Sequence, residues 1–195
     1  MAENPKSTKS GPVTKADHEH VAAIEAGNQS SWGKLYQRHY EGVLRFCGHF
    51  TADAQLAEEW TQETFLRLRE KAHTFKAGAA VKPWLYKVAR NIGIEYRRKF
   101  REAAWSDSVF AKREANFASL SSTPSAKHSA HERIGLTKKA LAGMSEDHRT
   151  TLLLRYIDGL SPSEIADVMG VPLGTAKSRL RDGLNELRLR LKEKA

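Results

Sequence analysis

Cysteine is nearly missing: Cys47 stands alone in 195 residues, which excludes an internal disulfide and suits a reducing compartment. No apolar run approaches the roughly 20 residues that a membrane helix needs. The N-terminus also lacks an apolar signal core. A soluble, cytoplasmic protein without membrane insertion is therefore expected. Aromatic residues are sparse at 8%, too few for one large core, while 40% hydrophobic content suffices for one ordinary domain or two small ones. Histidines occur without the paired His/Cys spacing of a structural metal site. Walker, HExxH and nucleophile motifs are all absent, so the sequence predicts a binding protein with no catalytic residues, metal or cofactor. Period-two alternation is missing too, so the fold class is all-α. Acidic side chains are the scarcer charge, 23 against 32 Lys plus Arg, for a net charge of +9. Such an excess points to a polyanionic partner, more often nucleic acid than a membrane surface.

What is present is clearest between Ser161 and Leu191. Ser161, Pro162 and Glu164 are an N-cap hydroxyl, a first-turn proline and a carboxylate that can answer the cap amide. Gly170 suits the left-handed residue that ends a helix. Pro172 then opens a second helix after a turn of about three residues, as a helix-turn-helix requires. Leu173, Ala176, Leu180, Leu184, Leu187 and Leu191 form its apolar face. At about 100° per residue, Thr175, Ser178 and Asp182 lie opposite that face, Arg179 and Arg181 flank it, and Lys177 falls nearer the buried edge. Hydroxyls and guanidinium groups near a helix start can reach phosphates and base edges in a major groove. A merely solvated amphipathic helix would show the same basic face, but the capped helix and short turn before it favour the DNA-reading interpretation.

The rest of the chain divides around a Ser-, Ala- and Lys-rich stretch. Residues 1–16 read as a disordered tail, 17–102 as a first helical domain, 103–133 as a flexible linker and 134–195 as a second helical domain. In the first domain a short helix begins near Asp17 and ends at Gly27 and Asn28; a second spans Ser31 to Phe50. The third, Asp53 to Lys71, buries Ala54, Ala57, Thr61, Thr64, Phe65 and Leu68. It turns Leu56, Glu59, Glu63 and Leu66 outward, with Trp60 at the margin. Leucines among carboxylates suit a protein-docking face, although exposed leucines are also ordinary on soluble helices. The fourth helix, from Pro83 to about Glu102, buries Trp84, Leu85, Val88, Ile92 and Tyr96. Tyr86, Arg90, Arg97 and Arg101 face the other way, flanked by Lys87 and Asn91. An exposed tyrosine among arginines is what a single-stranded nucleic-acid groove uses; a solvated basic face is the alternative.

Three stretches in order, AEEWTQETFLRLRE (Ala57 to Glu70), PWLYKVARNIGIEYRR (Pro83 to Arg98) and GLSPSEIADVMGVPLGTAKSRL (Gly159 to Leu180), resemble a bacterial RNA polymerase sigma factor of the extracytoplasmic-function type. The resemblance implies two helical domains, sigma region 2 and sigma region 4, and a factor that directs core polymerase to promoters and stabilises their melting. It implies that Leu56, Glu59, Trp60, Gln62, Glu63 and Leu66 meet the β′ coiled coil. It likewise assigns the minus 10 element to Phe75, Lys76, Lys82, Trp84, Tyr86, Lys87, Arg90, Asn91 and Arg97, and the minus 35 element to Thr175, Lys177, Ser178, Arg179 and Arg181. The second domain would also contact the β flap, and an anti-sigma factor is implied as a further partner. Glu95 departs from the family pattern and is expected half-buried beside a basic neighbour. Asp182 interrupts the basic face, where it could accept from cytosine N4 or repel phosphate. Two other readings compete. A dimeric operator-binding regulator leaves the stripe of Tyr86, Arg90 and Arg97 without a purpose, and a nucleic-acid enzyme lacks a cluster of acidic metal ligands.

Overall fold

The computed structural model describes residues 13–25, 27–51, 53–75, 80–100, 136–137 and 139–192. Residues 1–12 of the expected tail, the expected linker and Lys76 lie outside them. Every regular element among the described residues is helical: α1 (Val13–Glu25), α2 (Gln29–Cys47), α3 (Ala54–Lys71), a 3-10 turn (Ala72–Thr74), α4 (Val81–Phe100), α5 (Glu146–Tyr156), α6 (Pro162–Met169) and α7 (Leu173–Lys192). Residues 139–142 are also helical. Helix α1 begins at Val13 rather than at Asp17, and α2 begins ahead of Ser31 because Asn28 caps it, its side chain accepting from the Ser31 amide at 3.1 Å.

Local signals set the other boundaries. Asp53 accepts from the amides of Gln55 and Leu56, satisfying two of the amides that the start of α3 leaves orphaned. Ser161 and Glu164 exchange backbone bonds in a full capping box at the start of α6. Gly170 closes that helix at φ 67°, a left-handed conformation that costs a residue with a Cβ about 1–2 kcal/mol.

The first domain packs α1 to α4 around Leu35, Val43, Phe46, Phe65, Leu68 and Leu85, all essentially solvent-free. Thr61 and Thr64 are buried among them because their hydroxyls donate to Ala57 O and Trp60 O one turn back. Helix α1 is held by a charge cluster. Asp17 is buried, meets His39 Nε2 at 2.8 Å and accepts from Arg38. Burial raises the Asp17 pKa, but the hydrogen bond and charge of His39, with help from Arg38, outweigh it and hold the value below the ordinary 3.8. A depressed carboxylate stabilises the fold above its unfolded pKa and loses that contribution as the pH falls through the folded value. Asp17→Asn is therefore expected to lower stability by about 1–3 kcal/mol near neutrality. In denaturant titrations the gap from wild type should close below pH 4 or so; a gap that persists in acid would refute this account.

The second domain has a modest core of its own, Leu141, Met144, Leu152 and Leu153 against Leu180, Leu184 and Leu187. Its other apolar residues complete the core of the first domain. Leu154, Leu160, Ile165, Val168 and Met169 join one continuous cluster with Leu85 and Ala89 of α4. Helix α4 is thus covered by α2 and α3 on one side and by α6 on the other. The sequence leaves the relation of the two domains open; the structure shows them closed on each other.

Candidate nucleic-acid interface

Helix α7 takes its orientation from two close approaches. Ala176 is buried in the shared core, and a Cβ on Gly183 would lie 3.2 Å from His148 Cβ of α5. This leaves the amino-terminal half of α7 outward. Lys177 is exposed, which corrects its expected place near the buried edge; Leu173, expected within the apolar face, is 43% exposed. Thr175, Ser178 and Arg179 are half-buried, and the Ser178 hydroxyl donates to Thr175 O at 3.0 Å. Arg181 projects into solvent and donates to Asp182 at 2.9 Å. That hydrogen bond, more than the charge behind it, keeps Asp182 ionised below the ordinary carboxylate range. Asp182 therefore steers Arg181 in this state instead of standing as a free acceptor. Arg179 reaches back to Asp147 of α5 at 2.6 Å.

On α4, Lys87 and Asn91 are exposed, while Lys82, Trp84 and Arg90 are half-buried. Trp84 meets Phe75 edge-on with ring centroids 5.2 Å apart. Lys82 donates to the backbone oxygen of Asp158. Burial, with the nearby charges of Arg97 and Arg179, brings the Arg90 pKa below the usual guanidinium value against the opposing charges of Asp147 and Glu146. Arg97 grips Glu146 with both terminal nitrogens and lies over the Phe50 ring at 5.3 Å.

Two expected exposures are corrected. Tyr86 is buried, not outward: its hydroxyl donates to Asp158 at 2.8 Å, and its ring packs on Phe46 at 4.8 Å. Burial first, and the Asp158 carboxylate second, push the phenol upward, so it stays protonated. A Cβ on Gly42 would come within 2.7 Å of that hydroxyl, so a glycine makes the room. A wheel drawn for an isolated helix misses this because α4 is covered on two sides. Trp60, expected at the margin of α3, is buried edge-on against Tyr96 at 5.2 Å. Of the expected docking residues on α3, Glu59, Gln62 and Leu66 are exposed, the last at 51%, and Leu56 and Glu63 are half-buried. Glu63 pairs with Arg67 at 2.8 Å. Glu95, expected half-buried, is exposed and lies 3.8 Å from the same arginine.

Asp158, Arg45, Glu146 and Asp147 were not singled out as site residues from the sequence. Asp158 receives Arg45 at 2.8 Å across 113 positions, a separation at which local patterning carries no signal. Among the described residues no group of His, Cys, Asp and Glu could hold a metal ion, and no helix is long and apolar enough to cross a membrane.

A basic helix-turn-helix closed against a second basic helix defines the class, a two-module nucleic-acid-binding protein. Residues 35–102 match the family described as Sigma-70 region 2, and residues 135–187 match Sigma-70, region 4. The ECF RNA polymerase sigma factor SigL of Mycobacterium tuberculosis is 34% identical over 178 residues, covering 89% of this chain and 96% of SigL. The sigma factor RpoE of Bartonella quintana, solved with the anti-sigma factor NepR, is 28% identical with a TM-score of 0.60, covering 82% of this chain and 97% of that one. CnrH, solved with the cytosolic domain of CnrY, shares the fold at TM-score 0.68 and 19% identity, covering 92% of this chain and 99% of CnrH. The chain belongs to the sigma-70 family, in its extracytoplasmic-function group. Its role is promoter-specific initiation of transcription with RNA polymerase.

Proposed function

We propose that the chain works in the cytoplasm without catalytic activity of its own. It holds core polymerase through α3, positions it on duplex DNA through α7 and stabilises melted DNA through α4. On α3 the contact to the β′ coiled coil falls on Glu59, Gln62 and Leu66, with Leu56 and Glu63 at the rim. Lys87 and Asn91 are the open minus 10 contacts; Phe75, Lys82, Trp84, Arg90 and Arg97 join them once the domains part. Thr175, Lys177, Ser178, Arg179 and Arg181 read the minus 35 element, and the second domain meets the β flap. An anti-sigma factor is the further partner, in keeping with the complex of RpoE with the anti-sigma factor NepR.

The observation that carries this reading is the outward basic half of α7, aimed by a capped helix and a left-handed glycine, on the same chain as an acidic-apolar α3 face. The energetics allow melting without nucleotide hydrolysis: stacking and pocket contacts supply roughly 1–3 kcal/mol per extruded base, against the few kcal/mol of unstacking. Run-off transcription with bacterial core polymerase over a genomic promoter library should give transcripts that start at a shared pair of elements. A chain that leaves core polymerase inert on every promoter, yet binds duplex DNA as a lone dimer, would replace this reading with that of an operator-binding regulator.

A further inference from the structure

Two adjacent carboxylates of the second domain engage arginines that promoter reading needs, one across the domain boundary through closure and one within the second domain. Glu146 and Asp147 stand in the first turn of α5, where the helix N-terminus favours negative charge. Glu146 takes both terminal nitrogens of Arg97 from α4, one of them at 2.7 Å. Asp147 takes Arg179 of α7 at 2.6 Å. Arg90 lies half-buried in the field of the same two carboxylates. A guanidinium fork meets two carboxylate oxygens much as it meets two phosphate oxygens. One acidic dipeptide therefore engages both DNA-reading helices at once. Nearby, Asp158 fastens Arg45 and Tyr86, and its backbone oxygen takes Lys82. Asp158 Oδ2 is buried with no hydrogen-bond partner. The bonds to Oδ1 hold the closed form, while the unpartnered Oδ2 offsets part of that gain against an open form in which water reaches it, so the clasp is poised for release.

We propose that Glu146 and Asp147 act as an intramolecular phosphate mimic that keeps the free chain off DNA, with Asp158 as the fastener of the closed state. The inference rests on the reading of α4 and α7 as the promoter-facing helices. While the domains are closed, Arg97 and Arg179 are bonded to carboxylates and the partner-facing side of α4 is covered. When the domains part, as simultaneous contact with minus 10 and minus 35 elements demands, Arg97 is freed for phosphate, while Arg179, whose partner Asp147 lies in its own domain, exchanges that carboxylate for phosphate.

The test uses the full chain without polymerase and two fluorescent duplexes, a promoter recovered by run-off transcription and a scrambled sequence. Glu146→Gln/Asp147→Asn should bind the promoter duplex at least tenfold more tightly than wild type, with a larger radius of gyration by X-ray scattering. Because these two residues also favour the start of α5, Asp158→Asn, which lies outside any helix, serves as the second variant and should shift affinity and radius in the same direction. Glu19→Gln/Glu58→Gln removes the same formal charge from exposed positions away from the clasp and should change neither. Equal tightening by that control pair, or no tightening by the Glu146/Asp147 pair, overturns the proposal. If polymerase carrying the wild-type chain shows no preference for the promoter duplex, the reading of α4 and α7 fails instead, and the proposal with it.

Discussion

Leu66→Asp is expected to cut affinity for core polymerase by about 30- to 1000-fold while leaving thermal unfolding of the free chain unchanged. Leu66 is the most exposed apolar side chain on α3, and it contributes nothing to the core that Phe65 and Leu68 fill beside it. A leucine at the centre of a docking face, ringed by Glu59, Gln62 and Glu63, has the layout of an interface anchor with a polar rim. Placing a carboxylate there loses an apolar contact and buries an unpaired charge, which anchor-residue losses of roughly 2–4 kcal/mol bracket. Glu63→Lys should have a smaller effect in the same direction, since Glu63 already shares its charge with Arg67. Co-purification of the Leu66 variant with core polymerase at wild-type yield would count against this face.

Arg179→Ala/Arg181→Ala should weaken binding of the polymerase holoenzyme to its promoter by a similar margin, with core affinity intact. Each well-made base contact contributes about 1–3 kcal/mol of discrimination, so two together give roughly 2–4 kcal/mol once partial overlap is allowed for. In the free chain Arg181 is bonded to the exposed Asp182 and Arg179 to Asp147, so each exchanges a carboxylate for DNA on binding. Footprinting measures the outcome directly. Protection of the minus 35 element by the double variant at wild-type concentrations would remove α7 from the recognition surface.

The features legible in the sequence are those whose causes lie within a few residues of one another. Ser161 with Glu164, Gly170 and Asp53 each announce a helix boundary because a cap is a contact between near neighbours. Ala57, Thr61, Thr64, Phe65 and Leu68 of the α3 stripe were readable for the same reason, since i, i+3 and i+4 share a face whatever the helix packs against, whereas Ala54, expected with them, is exposed in the first turn. Tyr86 was misread because its burial depends on Asp158, 72 residues further on. Arg97 meets Glu146 across 49 residues. Trp60 turned inward because α3 and α4 cross beside Tyr96, a partner that a wheel of α3 alone does not contain. The helices proposed to carry the site were thus readable as helices, and hidden was which of their side chains the other domain engages.

The fastening of Tyr86 by Asp158 also has a bearing on how the protein is made. The carboxylate is synthesised 72 residues after the phenol it accepts from, and at about 5–20 residues per second that interval is roughly 4–14 s. Through those seconds the nascent amino-terminal half carries the α6-facing side of α4 uncovered, with Arg97 still without Glu146 and Lys82 still without the backbone oxygen of Asp158. The domain that emerges first must stay folded and soluble on its own until its cover arrives.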